Sequence, residues 1–502
     1  MKLFTIGDSI SQGFMSLAAA RTELSYSTLI ARCLGLVPGD NYQIPLWGAG
    51  GLPLNMETVL RNLERRYGSD ISGIIEWARA TLAINEMIDN VEEYYERGRG
   101  GIAVPQAGAT SYYPNVSVAG FTVADAWKVT PKWCLKRLAS DEPVRGLHSK
   151  PKDGFFTLPN RPVERIAHAV LNPSRNPKYN EFSQLRWLQF HAEQEGVDNC
   201  FLWLGSNNAL GTVVRLRIDE TDTRYPPLNL SVEERDNYNL WRPEHFEEEY
   251  DELLRCVHVI LTSDKNKQPD CRVFIGTIPP VTIAPLAKGV GSELDKPDPF
   301  EILEEMPAYY EYYTFVTFGL DYARRGHRLT RDEAYKIDQY VAQYNQSIKE
   351  LVDKYNKKSE DEGKGVRYVV VDIADQLLKL AFKRNHGKPT YAMPNEVIEK
   401  AKQLERPGPP NTVYYHVDRH GAMLQGGIFS LDGVHPSAIG QGLVAHEFII
   451  KMKEAGVNVP YPLQWDAIFA SDSLYMRPIA LMPELYENSK LAEFVLNLVD
   501  VV

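Results

Sequence analysis

The chain has 502 residues, of which 44% are hydrophobic and 24% charged, proportions that exclude wholesale disorder and supply a core of ordinary size. Its 55 Lys and Arg against 66 Asp and Glu leave a formal net charge of −11, which argues against a general affinity for nucleic acid or anionic membranes. Cys33, Cys134, Cys200, Cys256 and Cys271 are scattered and form no CxxC pair, so neither a disulfide framework nor a cysteine zinc site is expected.

Met1–Gly7 carries one lysine, a very short apolar stretch and no small-residue cleavage site, so it does not read as a signal peptide. It reads as a buried strand over Leu3–Ile6. No apolar run is long enough to span a bilayer, so no integral membrane segment is expected. Taken as a whole gene product, the chain is expected in the cytoplasm. Four more short runs read as strands buried on both faces: Asn115–Ala119, Cys200–Leu204, Arg272–Thr277 and Arg367–Asp372. Helical patterns over Ser183–Glu195, His245–Thr262 and Thr330–Tyr355 precede the last three. Alternation of this kind predicts an α/β fold with a parallel sheet covered by helices on both faces.

The interval after the first strand is too long for a simple crossover. Met56, Val59, Leu60, Leu63 and Tyr67 share one helical face, and a second pattern runs from Ile74 to Tyr95. Residues 38–108 therefore read as a helical insertion shaping substrate access, with a helical pair on the back of the sheet as the plainer alternative. Gly211–Pro243 and Pro279–Pro299 read as irregular insertions. Tyr309, Tyr310, Tyr312, Tyr313, Phe315 and Phe318 read as a packed aromatic helix face before a pocket lining. One domain over residues 1–457 is expected, with 458–502 as an extension packed on it and helical from about Glu484.

Four segments carry candidate chemistry. First, the strand Leu3–Ile6 runs straight into Gly7-Asp8-Ser9. A serine just past a strand's C-terminal end sits where doubly wound sheets hold their sites, although Ser9 by itself is equally a helix N-cap. Second, Asn115–Ala119 ends at Gly120, where a glycine lets backbone approach a ligand and present its N–H. Third, Leu202-Trp203-Leu204-Gly205-Ser206-Asn207 ends a strand in an asparagine whose amide can donate to an oxyanion; an Asx turn is the plainer reading. Fourth, Asp432 and His435 stand three apart in one loop. A serine nucleophile needs a base, and the base needs a carboxylate to fix its tautomer.

In this order the four segments resemble the SGNH or GDSL hydrolase family. The resemblance implies a three-layer α/β/α sandwich with a flavodoxin-like five-stranded parallel sheet of order 2-1-3-4-5. It implies Ser9 as nucleophile, His435 as base and Asp432 as its partner, with Ser9, Gly120 and Asn207 as oxyanion donors. The implied activity is carboxylic ester hydrolysis, as in an esterase or lipase, on a lipid or an acylated small molecule or carbohydrate, without a cofactor. Two departures stand out: the first block reads GDSI, and the third reads GSNN, with Asn208 where the family more often has aspartate.

Two other readings are kept. One is a catalytically weak binding or scaffold protein on the same fold, using the helical insertion for partners. The other is a metal-dependent hydrolase through His416 and His420, whose spacing of four suits a helix-borne metal pair.

Overall fold

Phe4, Thr5 and Ile6 are completely buried, the condition of a strand covered on both faces. In the computed structural model, which describes residues 1–71, 73–105, 110–140, 158–303 and 307–483, this segment is a strand of a parallel sheet. In chain order, the elements that matter for the site are β1 (Phe4–Gly7), α1 (Ser9–Gln12), α2 (Met56–Tyr67), α3 (Gly73–Glu92), α4 (Pro162–Leu171), α5 (Gln184–Gln194), β2 (Asn199–Trp203), α6 (Asn207–Arg215), α7 (Pro243–Thr262), β3 (Arg272–Gly276), α8 (Arg331–Asp361), β4 (Arg367–Val371), α9 (Ile373–Leu380) and α10 (Ala438–Glu454).

The sheet has four parallel strands in the order β1-β2-β3-β4. Thr5 stands opposite Phe201, Phe201 opposite Phe274, and Phe274 opposite Val369. The expected strand at Asn115–Ala119 is less regular. It pairs with β1 only through a parallel bridge at Thr5 and Asn115, yet the Val116 N–H donates to Thr5 O at 3.0 Å and Val118 N–H to Gly7 O at 3.2 Å. The Gln184 amide, at the start of α5, donates to both Gly7 O and Val116 O. A side chain thus completes what the ladder leaves open.

The helices begin where their caps lie. Ser183 accepts from Arg186 N–H ahead of α5, and Thr330 with Glu333 forms a reciprocal capping box ahead of α8. Along α8, Ala334, Ile337, Val341, Tyr344, Ile348, Leu351 and Tyr355 are buried, the spacing of one helical face. α7 packs against this helix.

Two expectations are overturned. The tyrosine-rich segment is no helix face: Ala308–Phe315 is a strand. Its antiparallel partner, Ala287–Asp295, is likewise a strand and not part of an irregular insertion. The hairpin is pinned to α8 by Asp338, which accepts from Tyr309 Oη at 2.8 Å, from Thr282 Oγ1 at 2.7 Å and from Arg384. Strand formation lets alternate tyrosines pack inward while main-chain groups pair across the hairpin.

The insertion contains the expected helices α2 and α3. Val59, Leu60 and Leu63 are buried, each worth about 1.5–3 kcal/mol in apolar burial. Arg61 donates to Ser473 O at 2.8 Å and Arg477 O at 2.9 Å, and Glu64 accepts from Ala480 N–H. α2 therefore docks on the C-terminal extension. Within that extension Trp465–Ser471 is helical; the helix expected from Glu484 falls outside the described residues. Among the described residues all five cysteines are free thiols, four of them buried, and no helix is long and apolar enough to cross a membrane.

Candidate active site

β1 turns into α1 with no intervening loop, and Gly7 is what permits it. A Cβ there would sit 2.3 Å from Ser11 Oγ and 3.0 Å from Trp203 O. Asp8 caps the single helical turn, its Oδ1 accepting from Ile10 N–H at 3.1 Å. Gly13, at φ 84°, closes the turn by donating to Ser9 O and Ile10 O. Ser9 is the first helical residue and almost wholly buried.

Side-chain hydrogen bonds to two distant segments, 115–119 and α10, hold this turn. Asn115 Nδ2 donates to Ser11 O at 2.7 Å. Gln12 Oε1 accepts from Ala119 N–H at 3.0 Å. Gln441, on α10, donates to Ile10 O at 3.0 Å and accepts from Tyr26 N–H at 2.9 Å. Burial drives the Asp8 carboxyl up to about 7, against the Ile10 N–H and the charge of His435, which pull it down. Asp8 Oδ2 is buried without a hydrogen-bond partner among the described residues.

Asp432 and His435 form the second half of the site. The His435 ring Nδ1 and Asp432 Oδ2 are 3.0 Å apart. The same Oδ2 accepts from Leu17 N–H at 3.0 Å, and Oδ1 accepts from the N–H groups of Val434 and His435. Burial by itself would raise the Asp432 carboxyl. The His435 charge, its ring N–H and the backbone donors outweigh that and hold it below the usual carboxylate range. The loop is braced by Ser16 N–H donating to Ser430 Oγ at 2.9 Å and Tyr414 Oη to Leu431 O at 2.6 Å. Phe14, fully buried, packs on the imidazole with ring centroids 4.7 Å apart.

Gly120 has φ +83°, a conformation that L side chains rarely adopt, and only Val163 lies within 4 Å of where its Cβ would be. Asn207 opens α6, and its Nδ2 donates to Phe121 O at 2.9 Å. That bond fixes the amide's direction and leaves its second N–H for a ligand. Asn208 is fully buried, its Oδ1 accepting from Val123 N–H at 3.2 Å. An ionised aspartate there would face the cost of complete burial.

One cavity of about 630 Å³, its open mouth included, is lined by all five expected residues: Ser9, Gly120, Asn207, Asp432 and His435. Carboxylate, imidazole, hydroxyl and amide donors around one space can shuttle a proton and steady a developing oxyanion. Ser9 and His435 also border a second, apolar cavity of about 920 Å³. Its walls come from Pro279–Ala284, α9 and α10, which sequence reasoning missed. They are ordinary hydrophobic residues far apart in the chain, and no local pattern marks them.

Among the described residues the insertion expected to shape substrate access contributes Pro53 to the central cavity, and no residue of α2 or α3 lines it. His416 lies in the two-residue strand His416–Val417 and His420 in the turn beyond it, so the helical spacing that motivated a metal pair is not realised. Among the described residues no group of three His, Cys, Asp or Glu is placed to hold a metal ion. No protein-family model matches the chain, and no curated protein matches it.

Proposed function

We propose that the chain is a serine hydrolase of the SGNH or GDSL type that cleaves carboxylic esters through an acyl-serine intermediate. The observation that carries this reading is the single cavity shared by Ser9, Gly120, Asn207 and the hydrogen-bonded Asp432–His435 pair. These residues come from both ends and the middle of the chain. The strip at 115–118, hydrogen-bonded along β1, supports counting it as the second strand, which gives the order 2-1-3-4-5.

In the proposed reaction His435 Nε2 takes the Ser9 hydroxyl proton while Asp432 holds Nδ1–H and stabilises the imidazolium. Ser9 Oγ bonds to the ester carbonyl carbon. The Ser9 and Gly120 N–H groups and the Asn207 amide receive the oxyanion. Collapse breaks the bond to the alcohol oxygen, which leaves with the proton from His435. Water, deprotonated by His435, then attacks the acyl-serine; the acyl bond to Ser9 Oγ breaks, His435 returns the proton to that oxygen, and the acid leaves.

The test is p-nitrophenyl acetate turnover together with labelling by a fluorophosphonate. Ser9→Ala is expected to abolish both while the circular-dichroism spectrum stays unchanged. Labelling that persists in Ser9→Ala overturns the reading. So does activity that is lost on chelation and restored by zinc.

A further inference from the structure

Three cavities lie side by side across the site. The central one shares Ser9, Leu210, Val434 and His435 with the apolar cavity. It shares Gly120, Val163, Asn207, Leu210 and Val214 with a third cavity of about 930 Å³. The reacting groups therefore stand at the boundary of two spaces with unlike walls.

The apolar cavity is walled by Trp203, Val281, Ile373, Leu377, Leu443 and Val444, among others. Besides Ser9 and His435 its polar side chains are Ser206, Gln376 and Tyr391, so most of the wall offers a hydroxyl no compensation for lost water, whereas each methylene buried gains about threefold to fourfold in affinity. The third cavity is different. Asp125, Arg235 and Asn239 line it together with the aromatic rings of Trp133, Tyr238 and Trp241. Asp125 Oδ2 accepts from Thr122 N–H at 2.7 Å and Thr122 Oγ1 at 2.8 Å. Arg235 is ion-paired with Glu249 and donates to Thr122 Oγ1 at 2.9 Å. Its Nε, and the Nε1 of Trp241, have no hydrogen-bond partner among the described residues. Donors and acceptors interleaved with flat aromatic faces suit a ring bearing hydroxyls. Because Arg235 already has its counter-ion, and Glu164, Arg215 and Asp236 bring charges of both signs to the same wall, a neutral hydroxylated group fits it better than a charged one.

We propose that the substrate is an amphiphilic ester, with an apolar chain on one side of the scissile bond and a hydroxylated, sugar-like group on the other. This rests on the hydrolase reading above. It adds the substrate class, which neither the reacting residues nor their order specifies.

The full chain is assayed with methyl acetate, with methyl octanoate and octyl acetate, and with octanoyl glucose and octyl gluconate. The paired esters cover both directions of the linkage. For the direction that is accepted, kcat/KM is expected to rise from methyl acetate to the octyl-bearing ester, and again when the sugar group is added. Val444→Trp, or Leu377→Trp from the opposite wall should the first be unstable, is expected to lower the octyl-to-acetate ratio about tenfold or more. Trp133→Ala, or Tyr238→Ala, is expected to lower the ratio of the sugar-bearing to the plain octyl ester. A flat substrate series, or variants that leave both ratios unmoved, overturns the proposal. Methyl acetate turnover that depends on Ser9 would in that case keep the hydrolase reading intact. Failure to cleave any ester or to label Ser9 overturns the reading beneath it.

Discussion

At Asp8 the capping role and the burial conflict. The folded chain keeps a proton on this carboxyl up to about pH 7, whereas an unfolded chain releases it near 4. Folding takes up a proton between those values, so this residue's contribution to stability falls as pH rises through that window. Asp8→Asn retains an oxygen to accept from Ile10 N–H and removes the charge. The variant is expected to melt several degrees above the wild type at pH 8, with the gap closing toward pH 4. A melting-temperature difference that does not change with pH would contradict this. Gly120 and Asn207 separate backbone from side-chain donation. Gly120→Ala keeps the N–H and has room for a methyl group, so it should cost only about 1–2 kcal/mol for the left-handed φ. Asn207→Ala removes a donor and should lower kcat about 10²–10³-fold with KM changed far less. Chemical denaturation checks the first variant and steady-state kinetics the second.

Among the elements, those whose pattern is local are legible in the amino-acid sequence alone. β1, β2, β3 and β4 each lie within a residue or so of the expected run, because unbroken apolar stretches bounded by turn residues have few alternatives. α2 and α8 are legible for the same reason, their buried residues recurring at helical spacing. The Tyr309–Phe315 segment misleads because Tyr309 and Tyr313 are four apart, which mimics a helical face. Its β-branched and aromatic composition is the better signal. The five candidate residues that line the central cavity stand in short blocks. Their supports are not legible in this way, since Gln12, Gln184 and Gln441 are ordinary polar residues until the fold brings a main-chain group to each. Gln441 is the most exacting of them. Gln441→Leu would leave Tyr26 N–H unpaired in the interior, at roughly 1–3 kcal/mol, and would leave Ile10 O with Gly13 N–H as its donor. Chemical denaturation is expected to show that loss, and esterase activity should fall with it because α1 is no longer anchored to α10.

Over the whole molecule, the insertion and the C-terminal extension depend on each other. Arg61 reaches two carbonyls of the extension and Glu64 accepts from a third position there. Arg61→Ala is therefore expected to lower thermal stability and to increase protease cleavage of the extension, while methyl acetate turnover stays near that of the wild type. Equal protease resistance in the two proteins would mean that the docking is held elsewhere.

Connections between the two ends of the chain have a consequence in time. Leu17 N–H donates to Asp432 across 415 residues, and Tyr26 N–H to Gln441 across as many. A ribosome adding about 5–20 residues per second needs roughly 20–80 s to cover that distance. For most of that interval β1 and Ser9 have left the exit tunnel while His435, the proposed base, is still untranslated. On the proposed chemistry, a polypeptide released before His435 has been added is inert.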